Sequence, residues 1–291
     1  MVSSTETHFL LTKPIHSFIH SFIQIDLVMT DSATSSSYRV ESLARGLAVL
    51  SSFSEKTPTL SLTDIARRLK LNKTTTFRFL STLEELGYLR RDQQTKLYRP
   101  GLEVLRLGFV VLNGLEVREV AGPYLRQLMA EVEETVNLAV LDGHEVVYID
   151  RVGSKHMVNV YRPVGSRLPA YCTSTGKAIL AFLPPEQLEN ALRAITWTRY
   201  TDKTLITPEV LKENLAVVRQ RGFADSYGEM IPELCAVAAP IRQYDGRVVA
   251  TVNISVPAHR ISYDELIQKL GPKVIEAARQ ISSRLGYNPG P

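Results

Sequence analysis

The chain has 291 residues, 44% of them hydrophobic and 22% charged, which gives a globular protein of one large or two ordinary domains and excludes a disordered or fibrous chain. A net charge of +4 excludes a uniform polycation. Two cysteines, Cys172 and Cys235, with no CxxC pair, exclude a disulfide framework and point to the reducing cytoplasm, with both thiols filling small buried spaces.

The first stretch, "FLLTKPIHSFIHSFIQIDLVM" (Phe9 to Met29), is apolar only in patches. Lys13, Pro14, His16, His20, Gln24 and Asp26 interrupt it, so it is no membrane span. It lacks a basic start and a small-residue cleavage site, which argues against a signal peptide. His16 and His20 stand four apart without a third ligand, so no metal site is read there. Met29 precedes the polar tract "TDSATSSS", the composition of a mobile terminus. Residues 1–37 are therefore read as a disordered extension, with natural translation expected at Met29. Intact mass of protein made from the native gene tests that start.

From Tyr38 to Pro100 there are twelve Lys/Arg and six Asp/Glu, a net of +6 that leaves about −2 for the rest. "VESLARGLAVLSSF" sets Leu43, Leu47, Leu50 and Phe53 on one helical face. After Pro58, "SLTDIARRLK" opens on Ser61 with Asp64 three residues on, close to a capping box, and carries Leu62, Ile65, Ala66 and Leu69 as its apolar stripe. "NKTTTFRFLSTLEELG" then places Thr76, Phe79, Leu80, Leu83 and Leu86 on one face, and Gly87 stops it. "YLRR-DQQTK-LYRP" reads as two short strands around a polar turn. Helix, helix, Thr-rich helix and basic ribbon make a winged helix-turn-helix over 38–100.

Three β-branched threonines open the third helix poorly, so another requirement puts them there. A recognition helix reaches bases with its N-terminal end. Lys73, Thr74, Thr75, Phe77, Arg78 and Ser81 lie there, off the apolar face. Threonine hydroxyls bond base edges or phosphates, Arg78 suits guanine O6/N7, and Phe77 suits a thymine methyl. Arg90, Arg91, Lys96 and Arg99 place cations on the wing for backbone or minor-groove contact. A solvated face, or a protein partner, is the competing reading of the same module.

"GLEVLRLGFVVLNGLEVREVAGPYLRQLMAEVEETV" is helical, with breaks expected at Gly108, Gly114 and Pro123; 101–118 reads as a linker helix. Beyond it, "NLAVLDG", "EVVYIDRV" and "VNVYRP" read as strands, and "TSTGKAILAFL", "PPEQLENALRAI" and "TPEVLKENLAVVRQRG" as helices. "ELCAVAAPIRQYDGRVVATVNISVP" is a hairpin turning at Asp245-Gly246, and "SYDELIQKLGPKVIEAARQISSRLG" closes the chain as helix. Consecutive strands without intervening helices make 119–288 an α+β domain with an antiparallel sheet.

"STGK" (Ser174 to Lys177) matches S-x-x-K, in which a lysine activates a serine, but the K-T-G and S-D-N partners are missing. A Walker A loop fails too, with Tyr171 at the first glycine and Ala178 at the Ser/Thr place. The simpler reading has Thr173 or Ser174 capping a helix. His144, His156 and His259 form no compact ligand set, so no catalytic residue, metal or cofactor is assigned. A hydrolase or acyl-transfer enzyme using Ser174 and Lys177 stands as the alternative.

"SLTDIARRLKLNKTTTFRFLSTLEELGYLRRD", "VGSRLPAYCTSTGKAILAFLP", "RGFADSYGE" and "VATVNISVP" resemble the IclR family of bacterial transcriptional regulators over about Tyr38 to Tyr287. "RLPAYCTSTGK" most resembles its branch for aromatic catabolism through protocatechuate and β-ketoadipate. The resemblance implies a winged-helix domain on a roughly palindromic operator, a linker helix, and a GAF-like effector domain taking a small organic acid, in a dimer or dimer of dimers. It implies effector contacts at Ser174, Thr175, Ser226, Leu234, Ala236, Asn253 and Ser255. Phe77 stands where a smaller polar residue or His is common in the family, and Ser226 where some members carry an acid. Independently, Asn253 and Ser255 alternate with Val252 and Ile254 and so share a strand face, and a helix N-terminus suits a carboxylate. Arg162 and Arg167 are nearby cations, for which surface salt bridging is the ordinary role.

Overall fold

The computed structural model describes residues 38–54, 56–154 and 163–288. The N-terminal extension with His16 and His20, His156, Arg162, and the strand expected over "VNVYRP" except for Pro163 lie outside the described residues. The chain divides into two compact units after Gly101.

The first unit holds helices α1 (Glu41–Ser51), α2 (Leu62–Arg68) and α3 (Lys73–Glu85), then the antiparallel ribbon β1 (Leu89–Arg91) and β2 (Tyr98–Pro100). Its core is Val49, Leu60, Ile65, Leu80, Leu89 and Tyr98. The Ser61–Asp64 capping box forms as the spacing suggested. Asn72 caps α3, its Oδ1 accepting from the Thr75 amide at 2.8 Å. Three expected core residues are not core. Leu43 and Leu47 on α1 and Leu86 at the end of α3 are exposed, and Val49 supplies the buried contact of α1 instead. Helical periodicity finds an apolar stripe but not what covers it.

The second unit opens with α4 (Leu102–Asn113), then α5 (Glu116–Val132). Gly114 separates the two, whereas Gly108 and Pro123 lie within helix, contrary to expectation. The helix after the wing therefore ends at Asn113, and residues 116–118 belong to α5 rather than to a linker.

The sheet strands are β3 (Thr135–Asp142), β4 (Glu145–Val152), β5 (Arg167–Pro169), β6 (Ala224–Tyr227), β7 (Leu234–Arg242) and β8 (Val248–Pro257). They form one antiparallel sheet in the order β5-β4-β3-β8-β7-β6. The hairpin at Asp245-Gly246 is present, with Gly246 in the left-handed region (φ 81°). Strands β5 and β6 were not anticipated; at three and four residues they are too short for alternation to reveal.

Helices α6 (Ser174–Leu180), α7 (Pro185–Ala194) and α8 (Pro208–Arg221) pack on one sheet face with Ala139, Val146, Tyr148 and Ala238. On the other face, α5 and the last helix pack with Val136, Leu138, Val237, Val252 and Ile254. That last helical stretch runs from α9 (Tyr263–Glu265) through a π-turn (Leu266–Leu270) into α10 (Gly271–Arg284). Strand alternation therefore sends Val136, Leu138, Val252 and Ile254 to one core, and Thr135, Asn137, Asn253 and Ser255 to the opposite face.

Candidate DNA interface and effector pocket

In α3 the side chains separate by face. Thr76 and Leu80 are fully buried, and Thr76 Oγ1 donates to the Asn72 carbonyl at 2.9 Å. Lys73, Thr74, Phe77 and Arg78 are exposed, while Thr75 and Ser81 are half-buried. The N-terminal half of α3 thus offers one ammonium, one guanidinium, hydroxyls and an aromatic ring on an accessible surface.

On the ribbon, Arg90 lies directly opposite Arg99, and both are exposed. Like charges facing each other across two strands destabilise the pair unless an anion lies between or over them. Arg91 differs from its expected place. It is half-buried opposite Tyr98, with its guanidinium 5.4 Å from the ring centroid, so it stacks in the wing rather than joining the exposed cations. Lys96 is exposed in the turn at φ 60°. Asp92 holds that turn by accepting from the Thr95 amide (2.7 Å), the Thr95 hydroxyl (2.9 Å) and the Gln94 amide (3.0 Å). The Thr95 amide, then its hydroxyl, keep the Asp92 carboxyl below the ordinary carboxylate range.

In the second unit a narrow cavity of about 40 Å³ lies on the polar sheet face. Six of the seven expected effector residues line it: Ser174, Ser226, Leu234, Ala236, Asn253 and Ser255. Thr175 does not; it is wholly buried one residue further along α6, and its Oγ1 has no hydrogen-bond partner. Asn137 and Arg151 also line the cavity, and sequence reading missed both. Asn137 Nδ2 donates to Asn253 Oδ1 at 2.8 Å, and Asn253 Nδ2 donates to Ser255 Oγ at 3.0 Å, so the strand-face polar groups form one network. Arg167 is not in the cavity. It pairs with Asp142 (2.7 Å) and Glu145 (2.8 Å) in a surface cluster.

Gly176 and Lys177 of "STGK", and Thr173 before it, have structural roles. Thr173, not Ser174, caps α6, its Oγ1 accepting from the Gly176 amide at 3.1 Å. A Cβ on Gly176 would fall 2.1 Å from the Ala170 carbonyl oxygen, so only glycine permits this close approach. Lys177 is buried and donates to Glu229 Oε1 at 2.6 Å. Burial pushes the Glu229 carboxyl up, opposed by the adjacent ammonium. The Glu229 carbonyl accepts from the Thr201 and Thr204 hydroxyls, which tie the segment bearing Met230 and Ile231, both in the cavity wall, to the α7–α8 connection. Cys172 lines the cavity as a thiol, with burial pushing its pKa up to about 12.

Two family models match the chain: the IclR helix-turn-helix domain over residues 42–93, and the C-terminal domain of bacterial IclR transcriptional regulators over residues 109–283. The chain belongs to the IclR family. It is 35% identical to the HTH-type transcriptional repressor AllR of Klebsiella pneumoniae over 86% of this chain and 91% of that one. Relatives named KipR (Bacillus subtilis) and IclR (Escherichia coli) match at 32% and 34% identity. Among solved structures, a transcriptional regulator from Rhodococcus sp. RHA1 superposes with a TM-score of 0.74 at 38% identity, covering 85% of this chain and 98% of that one. An IclR homologue from Microbacterium hydrocarbonoxydans, complexed with 4-hydroxybenzoate, gives 0.71 at 28% identity, covering 84% and 98%.

This IclR-family chain is accordingly a ligand-responsive, DNA-binding transcriptional regulator. Its relatives are repressors and regulators, so the hydrolase reading of Ser174 and Lys177 falls. No helix among the described residues is long and apolar enough to cross a membrane.

Proposed function

We propose that this regulator acts in the cytoplasm as a homodimer or dimer of dimers on a roughly palindromic operator of a catabolic operon, reading the major groove with α3. The observation that carries the proposal is the division of α3, with Thr76 and Leu80 inward and Lys73, Thr74, Phe77 and Arg78 outward. Such a helix presents its N-terminal end to base edges. Arg90 and Lys96 add backbone contacts from the wing, with Arg99 beside Arg90. Support for self-association comes from α4, which buries none of its residues and exposes Leu102, Leu105, Leu107, Phe109, Val110 and Val111. An exposed apolar surface of that kind marks an interaction site.

The effector is a small organic acid held in the sheet-face cavity by Ser174, Ser226, Asn253 and Ser255, with Leu234 and Ala236 as apolar wall. At about 40 Å³ the free space takes a few waters, which favours a compact acid over an aromatic one. An aromatic acid of the protocatechuate route is the narrower reading. Only the "RLPAYCTSTGK" block supports it, since the curated relatives carry other names, although one structural neighbour holds 4-hydroxybenzoate. To reverse a strongly biased two-state equilibrium, the effector must prefer one state by about 5 kcal/mol. Footprinting upstream of the chain's own gene, with short aliphatic acids and 4-hydroxybenzoate added in turn, tests the proposal. A protected, two-fold repeated site altered by one of these acids is expected; protection unaffected by every acid contradicts the effector reading.

A further inference from the structure

We propose that Phe77 reads the 5-methyl group of one thymine in each repeat of the operator, so that this base pair is chosen by apolar contact rather than by a hydrogen bond. This deepens the reading of α3 as the recognition helix and rests on it.

Two phenylalanines stand two residues apart in α3 and go separate ways. Phe79 packs against the core of the first unit, whereas Phe77 lies outside that cluster with 49% of its surface exposed. Phe77 stands about 100° round the helix from buried Thr76, on the flank between the core and the outward face of Thr74 and Arg78. Its neighbours along that flank are Lys73 and Thr74 one turn before it and Ser81 one turn after. Leu80, three residues on, is fully buried, so no other exposed apolar side chain adjoins the ring along the helix. From Lys73 to Leu83 the helix carries no acid. A protein partner would cover a contiguous apolar patch. Around Phe77 it would meet an ammonium, a guanidinium and hydroxyls, and exposed Leu86 is nine residues further on, about 14 Å along the axis.

A DNA duplex matches this mixture. Cations and hydroxyls suit phosphates and base edges, and the thymine 5-methyl is the apolar group that base pairs present in the major groove. A polar side chain gains nothing from that methyl, whereas a ring laid against it removes both from water. Phe77 sits within the first two turns of α3, the end of a recognition helix that reaches bases. The two adjacent side chains then divide the work: Arg78 pairs by hydrogen bonds with a guanine, and Phe77 recognises a methyl. Burial of one methyl corresponds to a factor of about 4 in affinity.

Competition anisotropy with the full chain and its footprinted promoter site provides the test. Each thymine of the site is replaced in turn by deoxyuridine, which removes the methyl and keeps every hydrogen-bonding group. Uracil at one thymine position of each repeat should weaken binding about 4-fold per repeat. A cytosine–guanine pair at that position should also bind more weakly, and 5-methylcytosine there should recover about 4-fold over cytosine. Phe77→Ala should bind the thymine and uracil duplexes alike, and Phe77→Leu should keep part of the difference. Thermal unfolding checks that each variant folds; if Phe77→Ala does not, Phe77→Leu decides on the same thymine–uracil ratio. Uracil without effect at every position, or a thymine–uracil ratio unchanged in folded Phe77→Ala, overturns the methyl contact. In that case a retained preference for the promoter site over shuffled duplex, reduced by Arg78→Ala, still keeps α3 as the reader. Equal affinity for promoter and shuffled duplex overturns both.

Discussion

Lys177 shows how a catalytic-looking residue becomes a structural one. Its ammonium is spent on buried Glu229, so Lys177→Ala leaves a carboxylate without a partner. Breaking such a pair should lower stability by about 3–5 kcal/mol. Urea unfolding measures this, and an unchanged midpoint would refute the structural role. Burial pushes the Cys172 thiol up to about 12 and the Cys235 thiol up to about 11. Both should therefore stay protonated and resist iodoacetamide at pH 8 until the chain is unfolded. Because the folded thiols hold their protons longer than unfolded ones of ordinary pKa 9.0, their contribution to stability is complete below that pH and is lost as pH rises through 11 to 12. At this scale Asn253 and Ser255 came from the family resemblance, and alternation added only that they share a strand face. Arg151 was not legible, because Leu138 lies opposite Asp150 but Ala139 opposite Tyr148, and the extra residue Ile149 breaks the very alternation that would locate it.

Among the elements, α3 was the most legible, since its buried Thr76 and Leu80 fall on the 3.6-residue period and Asn72 and Gly87 mark its ends. The wing was legible as a ribbon, but the opposite placement of Arg90 and Arg99 depends on register, which no single strand of three residues reveals. Arg90→Ala and Arg99→Ala should each weaken binding to all duplex sequences alike and reduce the slope of log affinity against log salt by about 1. Arg78→Ala should instead cost about 1–3 kcal/mol at one base pair and relax discrimination there. Anisotropy titrations at several salt concentrations separate the two behaviours; a salt slope unmoved by both wing changes would contradict phosphate contact.

For the whole molecule, the order of winged helix, helix and α+β domain followed from composition shifts and consecutive strands. What stayed illegible was which apolar stripe meets the core and which meets a partner. The exposed faces of α1 (Leu43, Leu47) and α4 (Leu105, Val110) have the same periodicity as buried ones. Val110→Glu alters no buried contact within α4. It should leave thermal stability of the protomer nearly unchanged and shift the sedimentation coefficient from an assembled to a monomeric species. Assembly unaffected by this charge would place the self-association surface elsewhere. Most direct of all is the affinity of the purified chain for its own promoter fragment against a shuffled duplex of equal length, at low ionic strength. A preference of about 10³-fold or more, reduced but not abolished by Arg78→Ala, is the expected result; equal affinity for both duplexes, with or without organic acids, would contradict sequence reading by α3.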